Sequence, residues 1–227
     1  METTLFALTL LLTSPQAIAT GAASQPAATE AGVSELAALV DAVQNTYDGV
    51  RDFVADFEQV YTSASLGETR TSRGQVFFRK PGMMRWDYST PTPRFLVSDG
   101  SRLWVYEPEQ GQYYEEALAD AQLPLALRFL MGEGRLADDF EVAARPADAQ
   151  GRHVLQLTPR RSHGQVRRIL LHVAPSNHRV EEVVLLDPLG NTNRIIFRNV
   201  RQNVDLPASG FRFSPPAGAR RIEAPAP

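Results

Sequence analysis

The chain contains no cysteine. It forms no disulfides, so its own core must hold it together wherever it works. It also lacks the thiol on which a bacterial lipoprotein carries its lipid anchor. Runs of basic residues are missing as well. The 23 Lys and Arg against 26 Asp and Glu leave a formal net charge of −3. That is not the electrostatic footprint of a nucleic-acid binder, and no nucleic acid is expected as a partner. Outside the N-terminus there is no run of eighteen or more apolar residues, so no membrane-spanning helix is expected.

The usual signs of catalysis and metal binding are absent too. His153, His163, His172 and His178 lack metal-ligand spacing and read as ordinary strand and loop histidines. There is no G-x-S-x-G elbow, P-loop or dinucleotide glycine pattern. The acidic pairs Glu115-Glu116 and Asp138-Asp139 are sequence neighbours, which point apart on a strand, so they read as solvated charges. The expectation is a protein that is not an enzyme and needs no metal or cofactor.

What is present begins with an export signal. Leu5 to Leu12 form a short apolar run, and Ala17-Ile18-Ala19 is an A-x-A cleavage site. Cleavage near Ala19-Thr20 would deliver a soluble exported product. The segment before the apolar run carries Glu2 and no basic residue. Its positive charge is then either the free amino terminus or part of a start further upstream. Residues 20–33 are small and polar and read as a flexible leader. Leu36, Leu39, Val40, Val43 and Tyr47 follow at helical spacing after Ser34, a candidate N-cap.

From Asp52 the period becomes two. Strand-like runs follow near 52–61, 69–79, 83–88, 94–98, 102–106, 111–115, 139–145, 151–159, 166–174, 179–187 and 191–201. Turn chemistry separates them: Pro81-Gly82, Pro91-Thr92-Pro93 and Asp99-Gly100. One segment breaks the pattern. "LPLALRFLMGEG" (123–134) reads as a short helix that is apolar nearly all round. The expected fold is mainly β with two or three helices: an antiparallel sheet of about eleven strands, curled into an incomplete barrel. It would form one domain over residues 34–218, with a disordered tail at 219–227.

The stretch "FFRKPGMMRWDY" (77–88) shows apolar residues on both faces of its strands. Val76, Phe78 and Lys80 share a face, as do Met84, Trp86 and Tyr88, and Phe53, Ala55 and Phe57. One by one, the apolar members fit a plain core as well as a cavity lining. The methionines lean toward a cavity, since thioether chains adapt to variable apolar ligands.

Residues 74–108, "GQVFFRKPGMMRWDYSTPTPRFLVSDGSRLWVYEP", resemble the periplasmic outer-membrane lipoprotein carrier (LolA) family. The pattern includes Gly74, Lys80-Pro81, Trp86, Pro91, Val97-Ser98-Asp99-Gly100, Leu103-Trp104 and Tyr106. "FVADFEQ" (53–59), Leu157-Thr158-Pro159 and Phe211-x-Phe213-x-Pro215-Pro216-x-Gly218 extend it from about residue 34 to 218. The resemblance implies an eleven-stranded open barrel lidded by helices. It also implies a monomeric carrier that takes acylated lipoproteins from an inner-membrane ABC-type extractor and passes them to an outer-membrane receptor, with no cofactor.

In that frame, Leu36, Leu39, Val43, Phe53, Phe57, Val76, Phe78, Met84, Trp86, Leu96, Leu125, Leu127, Phe129 and Leu130 are candidates for the acyl-chain cavity. The 34–48 helix and the 123–131 segment would form the lid. Lys80 stands where the family resembles an arginine that latches the lid, and its alternative is a lysine snorkelling to solvent. Three rivals remain. One is a lipid- or lipoprotein-sensing regulatory module of the same fold. Another is the receptor, which the missing cysteine argues against. The third is a lipid-handling enzyme.

Overall fold

The computed structural model describes residues 30–118, 134–161 and 166–224. Helix α1 (Glu30–Asp48) opens the fold. Ser34 lies one turn inside it rather than at its cap, because the helix starts within the stretch expected as a leader. The strands are β1 (Asp52–Thr62), β2 (Thr69–Arg79), β3 (Met83–Thr90), β4 (Arg94–Asp99), β5 (Arg102–Glu107) and β6 (Gln112–Ala117). After the short helix α2 (Leu136–Asp139) come β7 (Phe140–Arg145), β8 (His153–Pro159), β9 (Arg168–Val173), β10 (Val180–Leu186), β11 (Thr192–Gln202) and β12 (Arg220–Arg221).

The twelve strands of the described residues form one sheet in the order β12-β6-β5-β4-β3-β2-β1-β11-β10-β9-β8-β7. Every neighbouring pair is antiparallel except β12 with β6, which is parallel. The sheet does not close. Eleven strands match the periodic runs of the sequence. The twelfth pairs within the stretch expected as a disordered tail: it is two residues long and carries no period that a sequence could show.

Local chemistry sets the turns. Between β4 and β5, Asp99 Oδ1 accepts the backbone N–H of Ser101 at 2.8 Å and of Arg102 at 2.9 Å. Gly100 supplies the positive φ of 95° that the reversal needs.

One face of the sheet is the core. Inner-face side chains of β1, β2, β3 and β5 join those of β8, β9, β10 and β11 in a single cluster under α1. Strands lie about 4.8 Å apart, so a flat sheet could not bring β5 and β8 to one interior. The sheet therefore curls. Each buried Val, Leu or Phe of that interior contributes about 1.5–3 kcal/mol.

The outer face is closed differently in each half. Over β3 and β4 lies the C-terminal segment. Phe211 is buried there, and the Phe213 ring sits 5.6–6.3 Å from those of Trp104, Tyr106 and Tyr113. Arg79 donates to the Leu206 carbonyl, and Arg85 to that of Gly210. The apolar residues on both faces of β2 and β3 follow from this. Phe78 and Met84 point inward, while Phe77 and Met83 lie on the outer side.

Across β8 to β11 the outer face carries an ion network. Glu182 accepts from Arg194 at 2.6 and 2.9 Å and from Arg152 at 2.9 Å. Asp148 accepts from Arg152 at 2.7 Å and meets His172 Nδ1 at 2.8 Å. Burial would raise the Glu182 carboxyl, but the two arginines outweigh it and hold it below the usual range.

Candidate functional site

The site is the inner face of the sheet together with the helix that covers it. Phe53, Phe57, Val76, Phe78, Met84 and Trp86 are all buried there, as is Val43 of α1. Leu36, Leu39 and Leu96 are half-buried and pack against the same cluster. Leu125, Leu127, Phe129 and Leu130, with the rest of the 123–131 segment, lie outside the described residues.

The aromatic members form a continuous floor. Phe53 and Phe78 have centroids 4.7 Å apart, and Phe57 meets Trp86 and Tyr88 edge-on, each at 4.9 Å. That arrangement depends on Gly74. It lies opposite Phe57 on β1 and Tyr88 on β3, and its missing side chain lets the Phe57 ring lie across β2. Val43, Val76 and Met84 are completely shielded from solvent. Val43 of α1 thus lies over the centre of this floor and shuts it off from solvent.

Among the described residues, the polar contacts that fasten α1 to the rest of the fold lie in its last two turns. Lys80, the only lysine of the chain, follows β2 directly and donates from Nζ to the Tyr47 carbonyl at 2.5 Å. That carbonyl is in the last helical turn, where it also accepts the N–H of Val50 at 3.1 Å. The Tyr47 hydroxyl accepts the N–H of Val180 at the start of β10, at 3.0 Å. Tyr47 thus joins strands from both halves of the sheet. Gln44 Oε1 accepts the N–H of Leu136 at 3.2 Å, tying α1 to α2.

Burial pushes the Tyr47 hydroxyl up to about 12, so it stays neutral. Desolvation lowers Lys80, partly offset by Asp48. Toward the other end of α1 the packing loosens. Val33 is 58% exposed, and Leu36 and Leu39 are only half-covered. The helix is anchored at its C-terminal end.

The alternation of β1, β2 and β3 gave the floor residues and placed Lys80 on the inner face. The partners of Lys80 were not legible, because a backbone carbonyl carries no sequence signature. Gln44 and Tyr47 were also missed as contacts. Tyr47 reads in the sequence as one more apolar-face residue, and Gln44 carries no signal there. His172, read as an ordinary strand residue, proves to be tied into the Asp148–Glu182 network.

An open, curled, mainly antiparallel sheet whose apolar inner face lies under a helix defines the class: an incomplete β-barrel with a helical cover. Residues 48–214 match the outer membrane lipoprotein carrier protein LolA, and the chain belongs to that family. It is 32% identical to the outer-membrane lipoprotein carrier protein of Cupriavidus pinatubonensis over 213 residues, 92% of this chain and 96% of that protein. The carrier protein of Methylococcus capsulatus is 31% identical over 176 residues, 78% of this chain and 83% of that one. The fold is also that of a crystallised conserved protein from Thermus thermophilus, with a TM-score of 0.53 at 15% identity, covering 84% of this chain and 99% of the other.

Proposed function

We propose that this protein is a periplasmic carrier of acylated lipoproteins. It takes them from an ABC-type extractor in the inner membrane, shields their acyl chains on the inner face of the sheet, and yields them to a receptor at the outer membrane. The observation that supports this best is the apolar floor under α1, a cover held by a few hydrogen bonds at one end and by apolar packing along its inner face. Relatives named as outer-membrane lipoprotein carriers over nearly their whole length support it further.

The physical need is large. Exposing three chains of sixteen carbons to water would cost on the order of 40 kcal/mol at ~0.8 kcal/mol per methylene. A carrier needs only an apolar surface somewhat less favourable than its receptor's, and a cover that closes once the cargo has left. Resealing α1 over the floor recovers part of the burial lost on release. The energy for loading enters at the extractor, so the carrier itself needs no cofactor.

Loading should displace α1 from its loose end. A fluorescent hexadecanoyl probe should bind the purified mature chain. On saturation, amide exchange across Leu36–Val43 should rise while β1 and β2 stay protected. A chain that binds no probe would contradict the proposal, and unchanged exchange in α1 would contradict its role as the cover.

A further inference from the structure

At one end of the apolar floor, three polar side chains from three strands form a relay. The Tyr88 hydroxyl donates to Gln59 Oε1 at 2.9 Å. Gln59 Nε2 donates to Asn193 Oδ1 at 3.0 Å. All three residues lie on the inner face. Gln59 is paired with Ile195, and Asn193 with Tyr61 on one side and Leu185 on the other.

The relay marks a boundary. Phe57 and Ile195 are buried at 3% exposure, whereas Tyr61, the next inner-face residue of β1, is 40% exposed. The floor is apolar up to Gln59 and open beyond it.

The direction of the relay is set at its first member. The Arg94 guanidinium stands over the Tyr88 ring, 4.6 Å from its centroid. Arginine offers no acceptor, so the hydroxyl proton has its acceptor in Gln59 Oε1. Gln59 then presents its oxygen to Tyr88 and its amide nitrogen to Asn193. Asn193 must present its oxygen to Gln59, which leaves its own NH2 pointing onward. Among the described residues Asn193 Nδ2 has no partner. A relay of three residues therefore fixes an unspent donor at the rim of an apolar surface.

We propose that Asn193, oriented by Gln59 and Tyr88, binds the carbonyl at the head of an acyl chain lying on the floor. This rests on the carrier reading above and adds what the site recognises: an ester or amide carbonyl of a lipidated cysteine, not hydrocarbon alone. An acyl chain is apolar up to its carbonyl and polar from there, and the inner face changes character at the same point. A carbonyl drawn to the edge of an apolar floor loses water on one side, and the Asn193 amide replaces it.

The test compares two synthetic lipopeptides with equal chain lengths and free amino termini. One carries ester-linked hexadecanoyl chains on a glyceryl-cysteine. The other carries ether-linked hexadecyl chains and has no carbonyl there. The protein should bind the ester form roughly fivefold to tenfold more tightly, the scale of one net hydrogen bond. Asn193→Asp keeps the shape and still accepts from Gln59, but offers no donor, so the ratio of ester-peptide to ether-peptide affinity should fall to about one. Gln59→Leu, which frees the Asn193 amide to turn, should reduce the preference as well. Equal wild-type affinity for both peptides, or an Asn193→Asp variant that keeps the preference, would overturn the inference and leave the carrier reading intact. Binding of neither peptide would overturn both.

Discussion

Replacing Lys80 with leucine should make the protein hold its acyl cargo more tightly and release it more slowly. The Lys80 ammonium donates to the Tyr47 carbonyl at 2.5 Å, and that bond exists only when α1 is seated. A hydrogen bond to a charged group contributes about 1.5–3 kcal/mol, roughly tenfold to a hundredfold in the balance between seated and displaced α1. On the carrier reading proposed above, acyl chains occupy the floor only when α1 is displaced. Removing a bond specific to the seated state therefore raises apparent affinity by up to the same factor.

Leucine adds a second effect of the same sign, because it places another apolar side chain beside the floor. Stopped-flow transfer of a hexadecanoyl probe from the loaded protein to acceptor vesicles reads both. Lys80→Arg keeps a donor and should stay near wild type. If Lys80→Leu changed neither affinity nor transfer rate, the lysine would not be a latch.

Gly74→Ala should cost about 3 kcal/mol of stability, the upper range for overpacking a core. A Cβ at Gly74 would lie 2.0 Å from the Asp87 carbonyl oxygen and 2.9 Å from Cε1 of Phe57. The first contact is with the backbone of β3 and cannot be relieved by a rotamer change. The second pushes Phe57 off Trp86 and Tyr88, where it stands 4.9 Å from each ring. The pairing of β2 with β3 already shifts register between Arg73 and Gly74, so the ladder has little slack at this point. For a domain of this size the cost corresponds to a fall in melting temperature of roughly 6–12 °C. Probe binding should weaken as well, because the floor loses its central ring. A thermal scan showing less than about 2 °C of change would mean that β2 and β3 part easily at this position.

The two variants also show what a sequence can disclose. Eleven strands were legible because each run alternates and each turn carries glycine, proline or aspartate. The floor residues followed from the same alternation, and Gly74 stood out through its place in the family pattern. The short β12 and α2 were not legible, since two or four residues cannot show a period. The relay from Tyr88 through Gln59 to Asn193 was hidden for another reason. Its members are remote in sequence and meet only through the register of β3, β1 and β11. The same is true of the carboxylates that meet His172. Long-range pairing of single polar residues leaves no periodic trace, so the half of the site that depends on register had to come from the fold.

The most direct test of the central claim is release from the membrane. Purified residues 20–227 would be incubated with spheroplasts of a Gram-negative host, and the supernatant examined for an acylated lipoprotein. The account predicts lipoprotein in the supernatant, in a complex that comes down with this chain, and none when the chain is omitted. Spheroplasts that carry this protein's own extractor yet release no lipoprotein to it would contradict the account.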